Sequence, residues 1–508
     1  MQEAQGTKTV PRLVVSSDRC GKSSLQRSVK ASTVALAAPC RGATVKPNRT
    51  IAISVSEHLR RLSVEGRSER RTGPGPSGAR AVRKPPCRAR FWYLPPGAPT
   101  QLRRRNCATV CHLEGRLKHA MANTKRSPVR KDFAKAKNVE PRPITGKESP
   151  RELLSTAFPA FVGRQERTGF ELMERSMEED CTLFLTLSGA MTPAGLHQST
   201  IIPLIERGIV SCLTTTGANL YHDAHRIIGH AIREVNPNAG DLQLRLARII
   251  RIYDLGFFED ALLDTDRLFS AIIQKPDFQR RMTTPEFHYL LGKEMAALEK
   301  ALKSDRPSLL STCYRHGVPI FVGAVQDGSI FLNVVKLKRL LGDQFKFELD
   351  VCADVYTMAA VQHYARHHYS RRLAVWMLGG GVPKNYTLQG EPLLDQILFV
   401  PTEGFDIDVQ FCVDPVDNGA LSSCPASEGH TWGKVSAECV ATNSVYVHAD
   451  VTAVFPWLAH ALLSDPRMKR APRRLMDKLD EALDFLDEAV EKQRPALMKT
   501  LVYKGIGT

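Results

Sequence analysis

The sequence lacks the features that direct a chain into a membrane or out of the cell. None of its apolar runs approaches the roughly 18–20 residues that a membrane-spanning helix needs. Its first residues show no basic segment followed by an apolar stretch, which a secretory signal requires. We therefore expect a cytoplasmic protein that does not act at a membrane.

Patterns typical of metal sites and disulfide frameworks are also missing. The twelve cysteines are scattered without a CxxC pair, whereas a structural zinc site usually needs four ligands at short repeating spacings. His363 and His367 lie four residues apart, but no acidic HExxH frame surrounds them. The sequence predicts no metal ion, and its free thiols indicate a reducing compartment.

Positive charge is confined to the beginning of the chain. The net charge is +17, yet residues 1–120 contain 24 Lys and Arg against 6 Asp and Glu, and the remainder contains 46 against 47. Residues 1–120 are rich in Arg, Ser, Pro and Gly, which predicts a disordered extension. The remainder is near neutral, so we expect no nucleic-acid partner.

The pattern of apolar and polar residues changes near residue 150. We expect residues 121–150 to be a linker, with Met121 as an alternative start of the product, and residues 151–508 to form the catalytic domain. Short apolar runs alternate there with helical patterns, which predicts an α/β fold with a Rossmann-like, open, mostly parallel sheet and flanking helices. The predicted strands cover residues 181–187, 209–214, 318–322, 373–378, 397–401 and 445–449. The predicted helices include residues 285–304, 347–365 and 472–492, with Asp354 on a helix surface or at an interface.

Small and polar residues repeatedly follow the predicted strands. These strand ends carry residues 188–189, 215–218, 327–329, 379–381 and 450. In an open α/β sheet, ligands bind outside the carboxyl ends of the strands, and glycines there let a pyrophosphate approach a helix N-terminus. No GxGxxG is present and each loop alone fits an ordinary turn, but together they predict a dinucleotide crevice.

A lysine that could form imines stands in the loop 422–434. Lys434 follows Trp432 and Gly433, and Glu428 precedes it by six residues. An aromatic face and a carboxylate can shield and tune an amine, which is how a nucleophilic lysine is made. The alternative is a solvated lysine at the end of a loop.

Five motifs give the chain a family resemblance. They are residues 215–219 with His222 and Asp223, residues 326–329, residues 379–384, residues 428–434 and residues 448–456. In order and spacing they resemble the deoxyhypusine synthase family across residues 150–465, without the first 120 residues.

The resemblance implies a chemistry and its residues. In that family, NAD takes a hydride from spermidine, an active-site lysine captures the aminobutyl group as an imine, and the group passes to an acceptor amine. The lysine would be Lys434. The implied NAD contacts are Ser188, Gly189 and onward to Thr192, with Thr216, Gly217, Ala218, His222, Asp327, Asp450 and Val451. The implied substrate contacts are Gly380, Asn385, Glu428 and Trp432. A homotetramer with sites between paired subunits is also implied.

Several residues depart from the family's pattern. Two aspartates of the amine site fall on Leu332 and Leu421, and a histidine falls on Asn385. Tyr221 and His222 both stand where the family has acidic residues. Losing a charge-assisted contact typically costs about 1.5–3 kcal/mol, so the identity of the amine is open.

Three hypotheses follow. In the first, an aminoalkyl group moves through a Lys434 imine to a protein lysine, or to a free polyamine as in a homospermidine synthase. In the second, NAD serves another reaction on a less cationic amine. In the third, the chain binds NAD or assembles with partners without catalysis, although a shielded lysine has no use there.

Overall fold

The computed structural model describes residues 128–140 and 142–502. The expected disordered extension, residues 1–120, lies outside this range. Within it the strands, numbered in chain order, are β1 (Thr182–Leu187), β2 (Cys212–Thr215), β3 (Arg233–Glu234), β4 (Ile249–Ile252), β5 (Leu255–Phe258), β6 (Arg281–Met282), β7 (Ile320–Phe321), β8 (Glu348–Leu349), β9 (Leu373–Leu378), β10 (Ile407–Cys412) and β11 (Ser444–His448).

Helices connect most of these strands. In chain order they are α1 (Pro128–Ala134), α2 (Pro150–Ala157), α3 (Phe161–Glu178), α4 (Ile202–Glu206), α5 (Gly217–Ile227), α6 (Asp241–Leu246), α7 (Glu259–Ile273), α8 (Thr284–Leu302), α9 (Leu309–His316), α10 (Ser329–Leu341), α11 (Val351–His368), α12 (Gly381–Leu388), α13 (Gly390–Pro392), α14 (Ala426–Thr431), α15 (Ala437–Thr442), α16 (Val451–Leu463) and α17 (Leu479–Leu497). None of these helices is long and apolar enough to cross a bilayer.

Six parallel strands form the main sheet, in the order β11-β10-β9-β1-β2-β7. The chain moves outward from β1 through β2 to β7, then returns to the other side of β1 at β9. The strand order therefore reverses between β1 and β9, which is where open α/β sheets bind ligands. The prediction of an open parallel sheet with flanking helices is confirmed.

Both faces of the sheet are buried. On β9, Ala374, Trp376 and Leu378 enter one apolar cluster, while the alternate residues of the same strand enter a second. This alternation follows from the two-residue period of a strand, and burial on both sides explains the uninterrupted apolar sequence of the strand.

Some predicted boundaries were wrong. Residues 397–401 form no strand, because a π-helical turn at Leu393–Ile397 runs into an irregular segment. The strand at this place in the sheet is instead β10. The helix predicted over 347–365 begins at Val351, and the one over 472–492 begins at Leu479 after a 3₁₀ turn. Helix α1 lies within the expected linker, and the domain boundaries stay predictions.

A buried ion pair ties helix α11 to the start of β10. Arg366 Nη1 lies 3.2 Å from Asp406 Oδ2, and both side chains are almost fully buried. The same carboxylate oxygen accepts a hydrogen bond of 2.8 Å from the backbone nitrogen of Leu373. Asp406 therefore holds the helix and the first residue of β9 together.

Replacing this aspartate should destabilise the fold. We expect Asp406→Ala to lower the free energy of unfolding by about 3–5 kcal/mol, because the guanidinium of Arg366 stays buried without its partner. Urea unfolding measures the change. The matched control is Asp417→Ala, whose exposed carboxylate should matter by less than about 0.5 kcal/mol. Equal losses in the two variants would contradict the prediction.

Candidate active site

The loops predicted to bind NAD meet at the carboxyl edge of the parallel sheet. Ser188 Oγ donates a hydrogen bond of 2.5 Å to the carbonyl oxygen of Gly380, which joins the loops after β1 and β9. Thr216 Oγ1 donates at 2.6 Å to the carbonyl oxygen of Gly189. A Cβ added to Gly217 would lie 2.8 Å from the Cα of Gly328, so these two backbones touch.

Asn219 holds this edge in place, and the sequence prediction of contacts missed it. Its Oδ1 accepts hydrogen bonds from the backbone nitrogens of Met191 at 2.7 Å and Thr192 at 3.2 Å. Its Nδ2 donates to Thr215 Oγ1 at 3.1 Å and to the carbonyl of Leu187 at 3.3 Å. The buried amide thus ties the loop after β1 to the start of α5. Its place in the motif after β2 was the available signal.

The remaining predicted NAD residues also lie at strand ends. Asp327 ends a 3₁₀ turn after β7, and its side chain is exposed. Asp450 begins α16, where its Oδ1 accepts a hydrogen bond of 2.9 Å from the nitrogen of Thr452. His222 Nδ1 lies 3.0 Å from His225 Nε2, and burial lowers the pKa of His222 to about 4. His222 is therefore neutral at physiological pH.

Lys434 lines a cavity of about 700 Å³. Its Nζ donates a hydrogen bond of 2.8 Å to Asn385 Oδ1 and lies 5.8 Å from the centre of the Trp432 ring. Glu428 lines the same cavity. The structure thus brings together the predicted lysine and three of the four predicted substrate residues.

A half-buried amine, that of Lys434, and a buried one, that of Lys384, share this region. Burial lowers the pKa of Lys434; the thiol of Cys424 opposes this shift, and the charge of Lys384 adds to it. Lys384 itself is buried, and its Nζ donates hydrogen bonds of 2.7 Å to Gln410 Oε1 and to the carbonyl of Cys424. The neighbouring cation makes protonation of Lys434 less favourable.

Sequence reasoning missed several polar groups in and beside this cavity. Lys384 and Gln410 were not among the predicted site residues, and Asp354 was expected on a helix surface or at an interface. Asp354 is in fact buried. Its carboxylate accepts hydrogen bonds from the Tyr386 hydroxyl at 2.5 Å and the Thr284 nitrogen at 2.6 Å. These bonds position the residue next to Asn385.

The predicted residues fall into two regions. The NAD residues named above do not line the cavity of Lys434, but Gly380 connects the two regions because it precedes α12, which carries Lys384 and Asn385. Leu421 lines the cavity and is 57% exposed, whereas Leu332 on α10 lies elsewhere and is 60% exposed.

The histidines considered as a metal pair pack differently. The rings of His363 and His367 both contact Phe485 of α17. Among the described residues, no three His, Cys, Asp or Glu side chains are grouped as metal ligands.

Comparison with known proteins places these motifs in a family. The deoxyhypusine synthase family model matches residues 153–462. A "Deoxyhypusine synthase-like protein" of Nostoc punctiforme is 38% identical over 361 residues, covering 70% of this chain and 91% of that protein. A protein of the same name from Cyanothece sp. is 36% identical, covering 69% and 87%. "Probable deoxyhypusine synthase 2" of Methanosarcina mazei is 34% identical, covering 59% and 83%.

This chain belongs to the deoxyhypusine synthase family. The family is one of transferases that move an aminobutyl group, and the matched residues nearly coincide with the range of the five motifs. The resemblance predicted from those motifs is confirmed.

Removing the positive charge of Lys384 should make Lys434 more basic. We expect Lys384→Met to raise the pKa of Lys434, because a nearby cation that opposes its protonation is lost. The pH dependence of Lys434 acetylation, followed by peptide mass spectrometry, measures the shift. Lys336→Met, on an exposed lysine of α10, should leave the profile unchanged. An unchanged profile in Lys384→Met, with an unchanged melting temperature, would count against this electrostatic coupling.

Proposed function

We propose that this chain is an NAD-dependent transferase that moves an aminobutyl group from a polyamine such as spermidine through an imine on Lys434. The observation that carries the proposal is the environment of Lys434. Its amine lines a cavity, donates to the neutral amide of Asn385, and forms no ion pair within the described residues. Without a carboxylate partner, the neutral amine is easier to reach, and only the neutral amine attacks carbon.

The residues around Lys434 have separate tasks in this chemistry. Burial and the charge of Lys384 keep a larger fraction of Lys434 neutral. The hydrogen bond from its Nζ to Asn385 Oδ1 points the amine into the cavity. Trp432 offers an aromatic face to cationic nitrogens, and Glu428 offers a carboxylate.

The sheet edge has the features needed to hold NAD. Gly217 and Gly328 let the loops after β2 and β7 come into backbone contact, and helices α5, α10 and α16 begin at this edge. Helix N-termini favour the charge of a pyrophosphate, and the carboxylates of Asp327 and Asp450 suit ribose hydroxyls. When bound, NAD supplies hydride chemistry, accepting hydride from the carbon next to an amine and returning it later.

The acceptor in this proposal is a protein lysine or a free polyamine. A protein lysine corresponds to deoxyhypusine synthesis, and a free diamine corresponds to homospermidine synthesis. With radiolabelled spermidine, label in a protein supports the first acceptor, and label in a larger free polyamine supports the second.

Trapping tests the Lys434 imine directly. We expect the purified chain with NAD, spermidine and borohydride to gain an aminobutyl adduct on the peptide carrying Lys434, because borohydride reduces an imine to a stable amine. Peptide mass spectrometry locates the adduct. Omitting NAD should abolish it, as should Lys434→Ala.

A second lysine variant controls for adducts that form on lysines outside the site. Lys300→Ala should keep full adduct formation, because Lys300 is exposed on α8 and lies outside the cavity. If wild type and Lys434→Ala convert amines equally, the proposed reaction fails.

We also propose that the chain acts as a homotetramer in the cytoplasm. Leu332 and Val335 lie three residues apart on α10 and are 60% and 47% exposed, which leaves an apolar face without a partner in the described chain. Leu332 stands where the family places an amine-site aspartate, yet it does not line the cavity of its own chain. A second subunit could bring this position to the site.

Light scattering tests the assembly. We expect the mass of four chains, and Leu332→Glu should reduce it, because a charge in a buried apolar contact is costly. Lys300→Glu, at an exposed position on α8 rather than α10, is the control and should leave the mass unchanged. A monomeric wild type would contradict the proposal.

A further inference from the structure

Asp408 is a buried carboxylate at the floor of the Lys434 cavity. It lies on β10, its residue surface is only 6% exposed, and it lines the 700 Å³ cavity. It also lines a smaller cavity of about 180 Å³. Neither the predicted site nor the proposed reaction has used this residue.

The strand turns its polar residues to one side. Ile407, Val409 and Phe411 belong to the main apolar cluster, so Asp408 and Gln410 point to the opposite face. Both the nitrogen and the oxygen of the Gln410 side-chain amide are hydrogen-bonded there. Its Nε2 donates to the carbonyls of Gly379 at 3.0 Å and Ser422 at 2.6 Å, and its Oε1 accepts from Lys384.

The side-chain carboxylate of Asp408, in contrast, has no hydrogen-bond partner among the described residues, whereas the backbone nitrogen of Asp408 donates to the carbonyl of Asn443. The charge of Lys384 acts on Asp408. The Nζ of Lys384, however, donates to two neutral acceptors, Gln410 Oε1 and the carbonyl of Cys424, and forms no ion pair with Asp408 in the described chain. Burial raises the pKa of Asp408 to about 6, although Lys384 opposes the shift. The carboxylate is therefore ionised at neutral pH without a direct partner.

An ionised buried carboxylate without a partner is costly, and such groups are concentrated at functional sites. The cation that would satisfy it must come from the cavity. Around Asp408 the cavity carries Met358, Leu388 and Val435, which suit a methylene chain. Lys434 lines the same space, so a chain with a reacting end at Lys434 can place its other end at Asp408.

We propose that Asp408 binds the distal ammonium of a linear diamine or polyamine whose other end reacts at Lys434. The inference rests on the proposed function for the reacting end, and it names the substrate class of that site. Position 421, where the family has an aspartate, is a leucine in this chain. Asp408 lines the same cavity and provides the carboxylate that binds the ammonium in its place. A monoamine of equal length lacks the group that Asp408 binds.

Calorimetric binding to the purified chain tests this anchor without turnover. The ligands are spermidine, 1,4-diaminobutane and, as the matched monoamine, butylamine. We expect Asp408→Asn to weaken the binding of both polyamines roughly ten- to a hundredfold, the loss typical of one charge-assisted contact, and to leave butylamine nearly unchanged. Asp417→Asn, which removes an exposed charge outside the cavity, should bind all three as wild type does.

Folding is checked by the melting temperature, and Asp408→Ala provides a second variant with the same expected loss. Wild-type affinity for the polyamines in folded Asp408→Asn would overturn the proposal, and so would a wild type that binds butylamine as tightly as 1,4-diaminobutane. Trapping at Lys434 reports separately on the reaction. If trapping fails while polyamine binding depends on Asp408, the proposed transfer reaction is wrong and the proposed role of Asp408 is supported. If trapping succeeds and polyamine binding does not depend on Asp408, the proposed role of Asp408 is wrong.

Discussion

Burial of both faces of the parallel sheet is the constraint on which the rest of this structure depends. Parallel strands need long crossovers, and the helices in those crossovers cover the sheet on both sides. All six strands then end at one edge, where their loops meet. A long polar or charged side chain within a buried strand is costly unless a hydrogen-bonding group or a cavity receives it. Gln410 meets the first condition, and Asp408 meets only the second.

The buried charge of Lys384 affects the protonation of Lys434. Lys384 sits at the start of α12, directly after the glycines that contact the loop of β1. The same short segment therefore links the proposed cofactor edge to the proposed amine site. Its buried ammonium favours a neutral Lys434. In the proposed reaction Asp408 would supply the negative charge for the other end of the polyamine, so the two buried charges would act on opposite ends of one substrate.

The predictable part of the fold was the part with an unambiguous pattern. The strand at 373–378 was predicted correctly, because a strand buried on both sides is apolar throughout. β10 was missed since Asp408 and Gln410 interrupt its apolar pattern, and the short apolar run at 397–401 was chosen in its place. Periodicity alone cannot distinguish a run of five residues from a turn of helix. One of the two interrupting residues, Asp408, lines the Lys434 cavity.

The sequence by itself determined the family, the parallel architecture and the candidate lysine, because motifs and apolar runs are local properties of the chain. Only the tertiary structure decided which side chains surround that lysine. Asn385, Asp408 and Lys434 lie far apart in sequence and meet because β10, α12 and the loop before Lys434 line one cavity. Burial of Asp354, Lys384 and Asp408 was likewise decided there, since exposure depends on packing between distant segments.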